Sequence, residues 1–338
     1  MSTNIKIAID VMGSDNGPGS IISAASLSKV RLPNIYYTFF GDEKIIKNFV
    51  KKYNNLENSY EIIHTENIVS PEDKPSLALR KRYTTSMGIS LKYLSEKKVN
   101  ALVSAGNTGA LMAMSKLQLR MLEGILRPAI AATFPHHKGE FVLLDLGANT
   151  DCNTENIIQF AIMGYEYAKV TLGKENPKIG ILNIGTEADK GKSYINEAAE
   201  QIKSSYLSKN FIGYIEGNDM TKGLADVVVA DGFSGNIALK TAEGVAVLCS
   251  NYIKNIFESS LLGKISYILL SKKLHTLKAK LDPRNRNGAL FLGLNGIVVK
   301  SHGGADALGF ASAIDLAYDF VNEEVAKKIT NNLSKIDH

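Results

Sequence analysis

LVSAGNTG (102–109) is a short apolar run that stops abruptly in a turn of Gly, Asn and Thr. A strand buried on both faces of a sheet reads as a continuous hydrophobic run, because neither face meets water. The same pattern recurs in AIDVMGSD (8–15), LLDLGANTD (143–151), ILNIGTE (181–187), VVADGFSGN (228–236) and VVKSHGGAD (298–306). Ligands of open α/β sheets bind outside the carboxyl ends of such strands. Small turn residues there let backbone N–H groups approach a ligand, and helix N-termini favour anions. Six turns of one chemistry predict a single shared site.

Outward from these runs, strand-like and helix-like segments alternate. Strands are expected at 5–10, 36–41, 60–65, 101–104, 130–134, 142–146, 179–184, 211–215, 227–230 and 297–300. Helices are expected at 20–29, 43–53, 76–96, 109–121, 155–172, 192–207, 236–258 and 305–328. Such alternation means βαβ units and a mostly parallel sheet covered on both faces, a three-layer α/β/α architecture. No repeat, low-complexity tract or Pro- or Ser-rich linker divides the chain. One α/β body over 1–330 and a polar tail at 331–338 are therefore expected.

The composition, 45% hydrophobic and 22% charged over 338 residues, is that of a globular protein with a sizeable core. Lys6 and Asp10 interrupt the first apolar run, which argues against a signal peptide. No run reaches the roughly 18 residues of a membrane span. The formal charge is +5, and five lysines with no acidic residue lie between Ser259 and Leu281. The whole excess sits in that segment, which argues against a broad nucleic-acid surface. It points to one local contact with something anionic.

Several chemistries are excluded by spacing. Gly185 to Ser193 ends in Gly-Lys-Ser after a strand, but five residues separate Gly185 from Gly191 where a phosphate loop has four. Glu187 and Asp189 would also repel phosphates there. What remains is a turn offering Lys190, Thr186 and amides to a single small anion. There is no GxGxxG after the first strand, no GxSxG and no HExxH. Cys152 and Cys249 form neither a disulfide framework nor a CxxC. Cys152 sits beside Asp151, which would raise a thiol pKa. Among the histidines, His302 stands at a strand end beside the expected site.

The motifs together resemble the PlsX family of bacterial phosphate acyltransferases. The likeness runs from Ile7-Ala-Ile-Asp-Val-Met-Gly13 through Ser104-Ala-Gly-Asn-Thr-Gly109, Leu144-Asp-Leu-Gly-Ala-Asn149, Asp151-Cys152, Leu182-Asn-Ile-Gly-Thr-Glu187, Lys190-Gly191 and Asp231-Gly-Phe233 to Ser301-His-Gly-Gly-Ala-Asp306. One departure is the first turn, Met12-Gly-Ser-Asp-Asn-Gly-Pro18, where Ser14 and Asn16 replace a glycine and a histidine of the family pattern.

The resemblance implies transfer of a long acyl chain from acyl carrier protein to inorganic phosphate, giving acyl phosphate for phospholipid synthesis. It also implies an isopropylmalate-dehydrogenase-like, Rossmann-like sheet. No cofactor or metal is expected. Phosphate is itself a nucleophile, so the protein must hold it, orient it and stabilise the developing oxyanion. Lys190, His302 and Asn183 are the expected catalytic residues, with Lys190 or His302 assisting the departing thiolate. The expected anion site is made by amides of Gly185, Thr186 and Glu187 and of Gly106, Asn107 and Thr108. Gly13 and Ser104 complete these turns. Asn149 and Asn236 are further neutral donors, while Asp10, Asp145, Asp231 and Asp306 orient donors.

The basic segment 256–281 places Phe257, Leu261, Ile265 and Ile268, then Leu270, Leu274, Leu277 and Leu281, at helical spacing, with Gly263 as a candidate break. An apolar stripe with lysines fits an interfacial helix on an anionic membrane, or one packed on its own fold or a twin subunit. The resemblance favours peripheral contact with the inner membrane face, a cytoplasmic location, a homodimer, and delivery of product to a membrane glycerol-3-phosphate acyltransferase. An isopropylmalate-dehydrogenase-type oxidoreductase would need a nicotinamide pocket and clustered carboxylates for a metal, and neither pattern is present. A non-catalytic adaptor would not need six polar strand-end turns.

Overall fold

The computed structural model describes residues 4–187, 190–281 and 287–335. Side chains of Leu261, Lys272 and residues 274–281 lie outside those described, as do Asp189 and the last residues of the expected tail, 336–338.

The first half builds β1 (Ile5–Asp10), α1 (Gly17–Arg31), β2 (Ile35–Gly41), α2 (Glu43–Val50), β3 (Tyr60–His64), α3 (Pro75–Arg80), α4 (Ser86–Ser95), β4 (Ala101–Ser104) and α5 (Thr108–Leu119). The second half builds β5 (Ala129–His136), β6 (Gly139–Leu144), α6 (Thr154–Thr171), β7 (Ile179–Leu182), α7 (Ser193–Ser204), β8 (Phe211–Ile215), β9 (Val227–Val229) and α8 (Gly232–Glu258). After α9 (Leu261–Leu281) the chain returns through β10 (Ala289–Leu292), β11 (Ile297–Lys300), α10 (Ala307–Asn322) and α11 (Val325–Leu333).

All strands join one sheet in the order β3-β2-β1-β4-β11-β10-β5-β6-β9-β7-β8. Strands β3, β2, β1, β4 and β11 are parallel, as are β6, β9, β7 and β8. Between the two groups, the pairs β11–β10, β10–β5 and β5–β6 are all antiparallel. Three reversals make the two parallel groups run in opposite directions, so their carboxyl ends leave the sheet at opposite edges.

Side chains alternate across the sheet as the two-residue period requires. Ile7 and Ile9 of β1 and Val142 and Leu144 of β6 enter the main core with α1, α2, α6, α7, α10 and α11. Ala8 enters the opposite core with α3, α4 and α5, while Phe141 and Leu143 pack in a smaller cluster beside Leu239 of α8. Each fully buried Ile, Leu or Phe stabilises this sandwich by about 1.5–3 kcal/mol.

The expected helix 76–96 is two helices, because the Thr85 hydroxyl caps α4 by accepting the Gly88 N–H. The expected 305–328 helix breaks where Glu324 adopts a left-handed φ of 49°. Helix α11 then continues to Leu333, with Asn332 Nδ2 donating to Glu166 Oε1, where a polar tail is expected from composition. The segment 256–281 crosses the end of α8 and the start of α9. At this break the Ser260 hydroxyl accepts the Gly263 N–H, and a Cβ on Gly263 would lie 2.7 Å from the Ile256 carbonyl oxygen. Helices α8 and α9 form an arm with Tyr267 stacked edge-on to Phe257, and Val247, Tyr252, Ile268 and Leu269 exposed.

Candidate active site

The strand directions divide the six turns into two groups instead of one shared site. At one edge meet the turns after β1, β4 and β11. A Cβ on Gly13 would stand 2.8 Å from the Gly106 backbone nitrogen, so glycine there lets two turns touch. The Asp15 N–H donates to the Gly303 carbonyl, and Asn16 Nδ2 donates to the carbonyls of Gly304 and Ala305. Asn16, at the position where the family pattern has histidine, thus ties the first turn to the last.

Asp10 lies beneath these turns. Its carboxylate accepts from the hydroxyls of Ser86 and Ser104, each at 2.7 Å, and Ser104 Oγ accepts the Gly106 N–H. Burial pushes the Asp10 carboxyl above its ordinary pKa despite these donors and the Lys300 charge. Asn107 and Asp306 are helix caps, accepting the N–H groups of Ala110 and Gly309. Asn107 Nδ2 also donates to the carbonyls of Pro71 and Asp73, leaving its amide committed to structure. Thr108 is exposed at the start of α5. His302 Nδ1 accepts the Gly304 N–H, which leaves the neutral ring's proton on Nε2, on an exposed side chain.

Lys300, inside the quoted motif yet not singled out by it, is the unexpected residue of this group. Its ammonium donates to the carbonyls of Ala105 and Ser301. Burial lowers its pKa to about 8, although Asp15 and Asp10 both act to raise it. A lysine ending a buried parallel strand was the signal available in the sequence.

At the other edge, the Asp145 carboxylate organises the turn after β6. It accepts N–H groups from Ile130, Gly147, Ala148 and Asn149, and the Asn149 side-chain amide at 2.8 Å. Burial outweighs these donors and raises its pKa. Asn149 is buried and also donates to the Pro128 carbonyl, so it braces the turn. Asn236 is exposed on the first turn of α8, with its Cβ against Gly147.

Asp231 caps α8 by accepting the Ser234 N–H, and its Oδ2 accepts from Lys192 Nζ and the Tyr194 hydroxyl. Burial opposes its charge, but these donors together hold the carboxyl below its usual range. Lys192 is the lysine of the Gly-Lys-Ser sequence rejected above as a phosphate loop, and Tyr194 carries no motif. Their involvement follows from α7 starting where α8 starts.

Asn183 follows β7, where its Nδ2 donates to the Lys190 carbonyl and its buried Oδ1 has no hydrogen-bond partner among the described residues. Gly191 packs on that oxygen with φ of 91°, so no other residue fits. Lys190 Nζ pairs with Glu187 Oε1 at 2.8 Å across an exposed turn, while Gly185 is buried against both side chains and Thr186 is exposed. The anion-binding lysine expected from sequence is thus already partnered. Asn183 and Lys190 stand together. His302 belongs to the other edge, and no hydrogen bond or ion pair among the described residues joins it to them.

A cavity of about 820 Å³ opens between these elements, lined by Leu182, Asn183, Ile184, Gly191, Lys192, Ile195, Glu216, Gly217, Asn218, Asp231 and Ser234. Its size is that of a small-molecule site. Among the described residues no side chain caps the N-terminus of α7, which begins at the Gly191–Lys192 wall. Free N–H groups at a helix start, beside an ammonium, attract an anion. Cys152 Sγ, near this edge, is pushed up to about 11 by burial, so it is a thiol at neutral pH.

The fold and this strand-end cavity define an α/β enzyme of the doubly wound type. Among solved structures, a phosphotransacetylase from Streptococcus pyogenes shares the fold with a TM-score of 0.66 at 15% identity, covering 96% of this chain and 95% of that one. A putative 4-hydroxythreonine-4-phosphate dehydrogenase from Salmonella typhimurium shares it with a TM-score of 0.55 at 14% identity, over 93% and 99%. Residues 5–328 match the family described as fatty acid synthesis protein. Proteins named phosphate acyltransferase from Rhodospirillum centenum and Parvibaculum lavamentivorans are 46% and 47% identical, each over 99% of this chain and over 95% and 93% of their own lengths. The chain belongs to the phosphate acyltransferase family. It is an acyltransferase that moves an acyl group to phosphate in lipid synthesis.

Proposed function

We propose that the acyl donor is a long-chain thioester of acyl carrier protein and that inorganic phosphate attacks it in the cavity between β7, α7 and α8. The observation that carries this reading is the make-up of that cavity. The start of α7, without a side-chain cap among the described residues, and Lys192 lie on one side, and Leu182, Ile184 and Ile195 on another.

Phosphate held by the α7 amides and Lys192 presents an oxygen to the thioester carbonyl carbon. A tetrahedral intermediate forms, the C–S bond breaks, and the thiolate leaves as thiol with the proton that hydrogen phosphate gives up on becoming acyl phosphate. Asn183 supplies a neutral donor from the cavity wall, and the Gly185–Thr186 turn and Lys190 follow it in the chain. Asp231 orients Lys192, and Asp145 and Asn149 hold the neighbouring turn. No covalent enzyme intermediate is required. The thiol proton is not assigned to His302, because its turn leaves the opposite edge of the sheet.

The exposed apolar residues and lysines of the α8–α9 arm support a peripheral contact with anionic lipid at the cytoplasmic face. No helix among the described residues is long and apolar enough to cross a membrane. Product would pass from there to a membrane glycerol-3-phosphate acyltransferase. A homodimer packed through the same arm is the competing use of that surface.

The test is thiol release from acyl carrier protein thioesters with and without phosphate. Phosphate-dependent release with matching acyl phosphate is expected. Release without phosphate would mean hydrolysis, and would refute the reading.

A further inference from the structure

We propose that the apolar side of this cavity is a channel for an unbranched alkyl chain, gauged by Ile184 and Gly217, an inference that rests on the acyl-transfer reading above. Ile184 directly follows β7 and is 80% exposed, although Ile181 in the same run is fully buried. Isolated exposed aliphatics are ordinary. This one lines a cavity with Leu182, from its own strand end, and Ile195, which reaches in from the main core through α7. Three branched aliphatic side chains from two elements therefore share one wall.

Gly217 adds an independent observation. It lies just beyond β8 on the cavity wall, and its φ lies outside the left-handed region. A Cβ placed on it would meet no atom within 4 Å. Neither backbone strain nor close packing requires glycine there, so its consequence is room. Compare Gly191 across the cavity, where a Cβ would collide with Asn183 at 2.0 Å.

The class of occupant follows from the lining. No aromatic ring is among the lining residues, so a flat base has nothing to stack on. Lys192, Ser234 and Asn183 supply the groups that a reacting thioester and phosphate need, while a saturated chain needs only the aliphatic wall. Ile237, one turn beyond Ser234 on the same side of α8 and half exposed, extends apolar surface outward.

The experiment compares kcat/KM across thioesters of increasing chain length at saturating phosphate, for the parent, Gly217→Leu and Ile184→Glu. Each methylene excluded from an apolar site costs about fourfold. Gly217→Leu should therefore lower the long-to-short ratio by roughly 10- to 100-fold, and Ile184→Glu should lower it in the same direction. Ile184 is on the surface, so its variant decides the matter if Gly217→Leu fails to fold. Chain-length profiles identical to the parent in folded variants would overturn the channel while leaving acyl transfer intact. Absence of acyl phosphate from every thioester in the parent would overturn the functional reading and this inference with it.

Discussion

The Asp231 side chain is buried, yet Lys192 reaches its Oδ2 from the cavity rim at 3.1 Å, and the Tyr194 hydroxyl donates to the same oxygen at 2.9 Å. The carboxylate thus fixes an ammonium that solvent can still reach. Lys192→Met should raise the phosphate KM by about 10-fold or more, the size of one charge-assisted hydrogen bond. Lys190→Ala should do less, because Glu187 already partners that lysine. Phosphate saturation curves check both. Equal curves for Lys192→Met and parent would remove it from the site.

The same pair sets an acid limit. Because the folded state holds the Asp231 carboxyl below its ordinary 3.8, the stability it contributes is full above that value. It is lost as pH falls through the depressed pKa. Asp231→Asn should therefore flatten the acid limb of a denaturation profile and leave the limb above pH 5 unchanged in slope.

Lys300 predicts a separate titration. Burial favours its neutral form, so between about 8 and 10.5 the unfolded chain binds more protons than the folded one. Its contribution to stability rises with pH through that window and is least below about 8. Lysine-selective nitrogen NMR should find one ammonium titrating near 8, absent in Lys300→Met. Titration of every lysine above 10 would contradict the burial argument.

Much of the fold was legible because buried parallel strands announce themselves. The ten expected strands each correspond to one in the sheet. The missing one, β10, reads Ala-Leu-Phe-Leu, without the β-branched residues that mark the other strands. That short strand is what mattered for the site. With β5 it reverses the sheet, and apolar runs carry no sign of strand direction, so six similar turns read as one site when they form two. Lys192 and Tyr194 escaped notice for a related reason, since only the meeting of two helix starts brings them to Asp231.

Cys152 should be dispensable for chemistry. Its thiol is pushed up to about 11 and its Sγ faces the Asn149 carbonyl at 3.8 Å. Cys152→Ala should keep most of the parental turnover, measured as thiol release. Complete loss in a folded variant, with an acyl adduct on Cys152 in the parent, would establish covalent catalysis instead.

The arm should carry lipid binding apart from turnover. Ile268 and Leu269 are 70% and 79% exposed on α9, among the chain's excess lysines. Each lysine near an anionic surface contributes on the order of 1 kcal/mol, weakening with salt. Ile268→Glu with Leu269→Glu should abolish co-sedimentation with anionic vesicles while turnover of carrier thioester in solution persists. Loss of a dimer in place of vesicle binding would assign the arm to a twin subunit.

Direct attack by phosphate and an acyl-enzyme route differ in one observable, isotope exchange. Acyl carrier protein thioester is incubated with labelled free carrier and enzyme, first without phosphate and then with it. An acyl-enzyme would pass its acyl group back to labelled carrier without phosphate, whereas direct attack cannot. Direct attack predicts no label in the thioester without phosphate, and acyl phosphate equal to released thiol once phosphate is added. Rapid phosphate-independent exchange would contradict it.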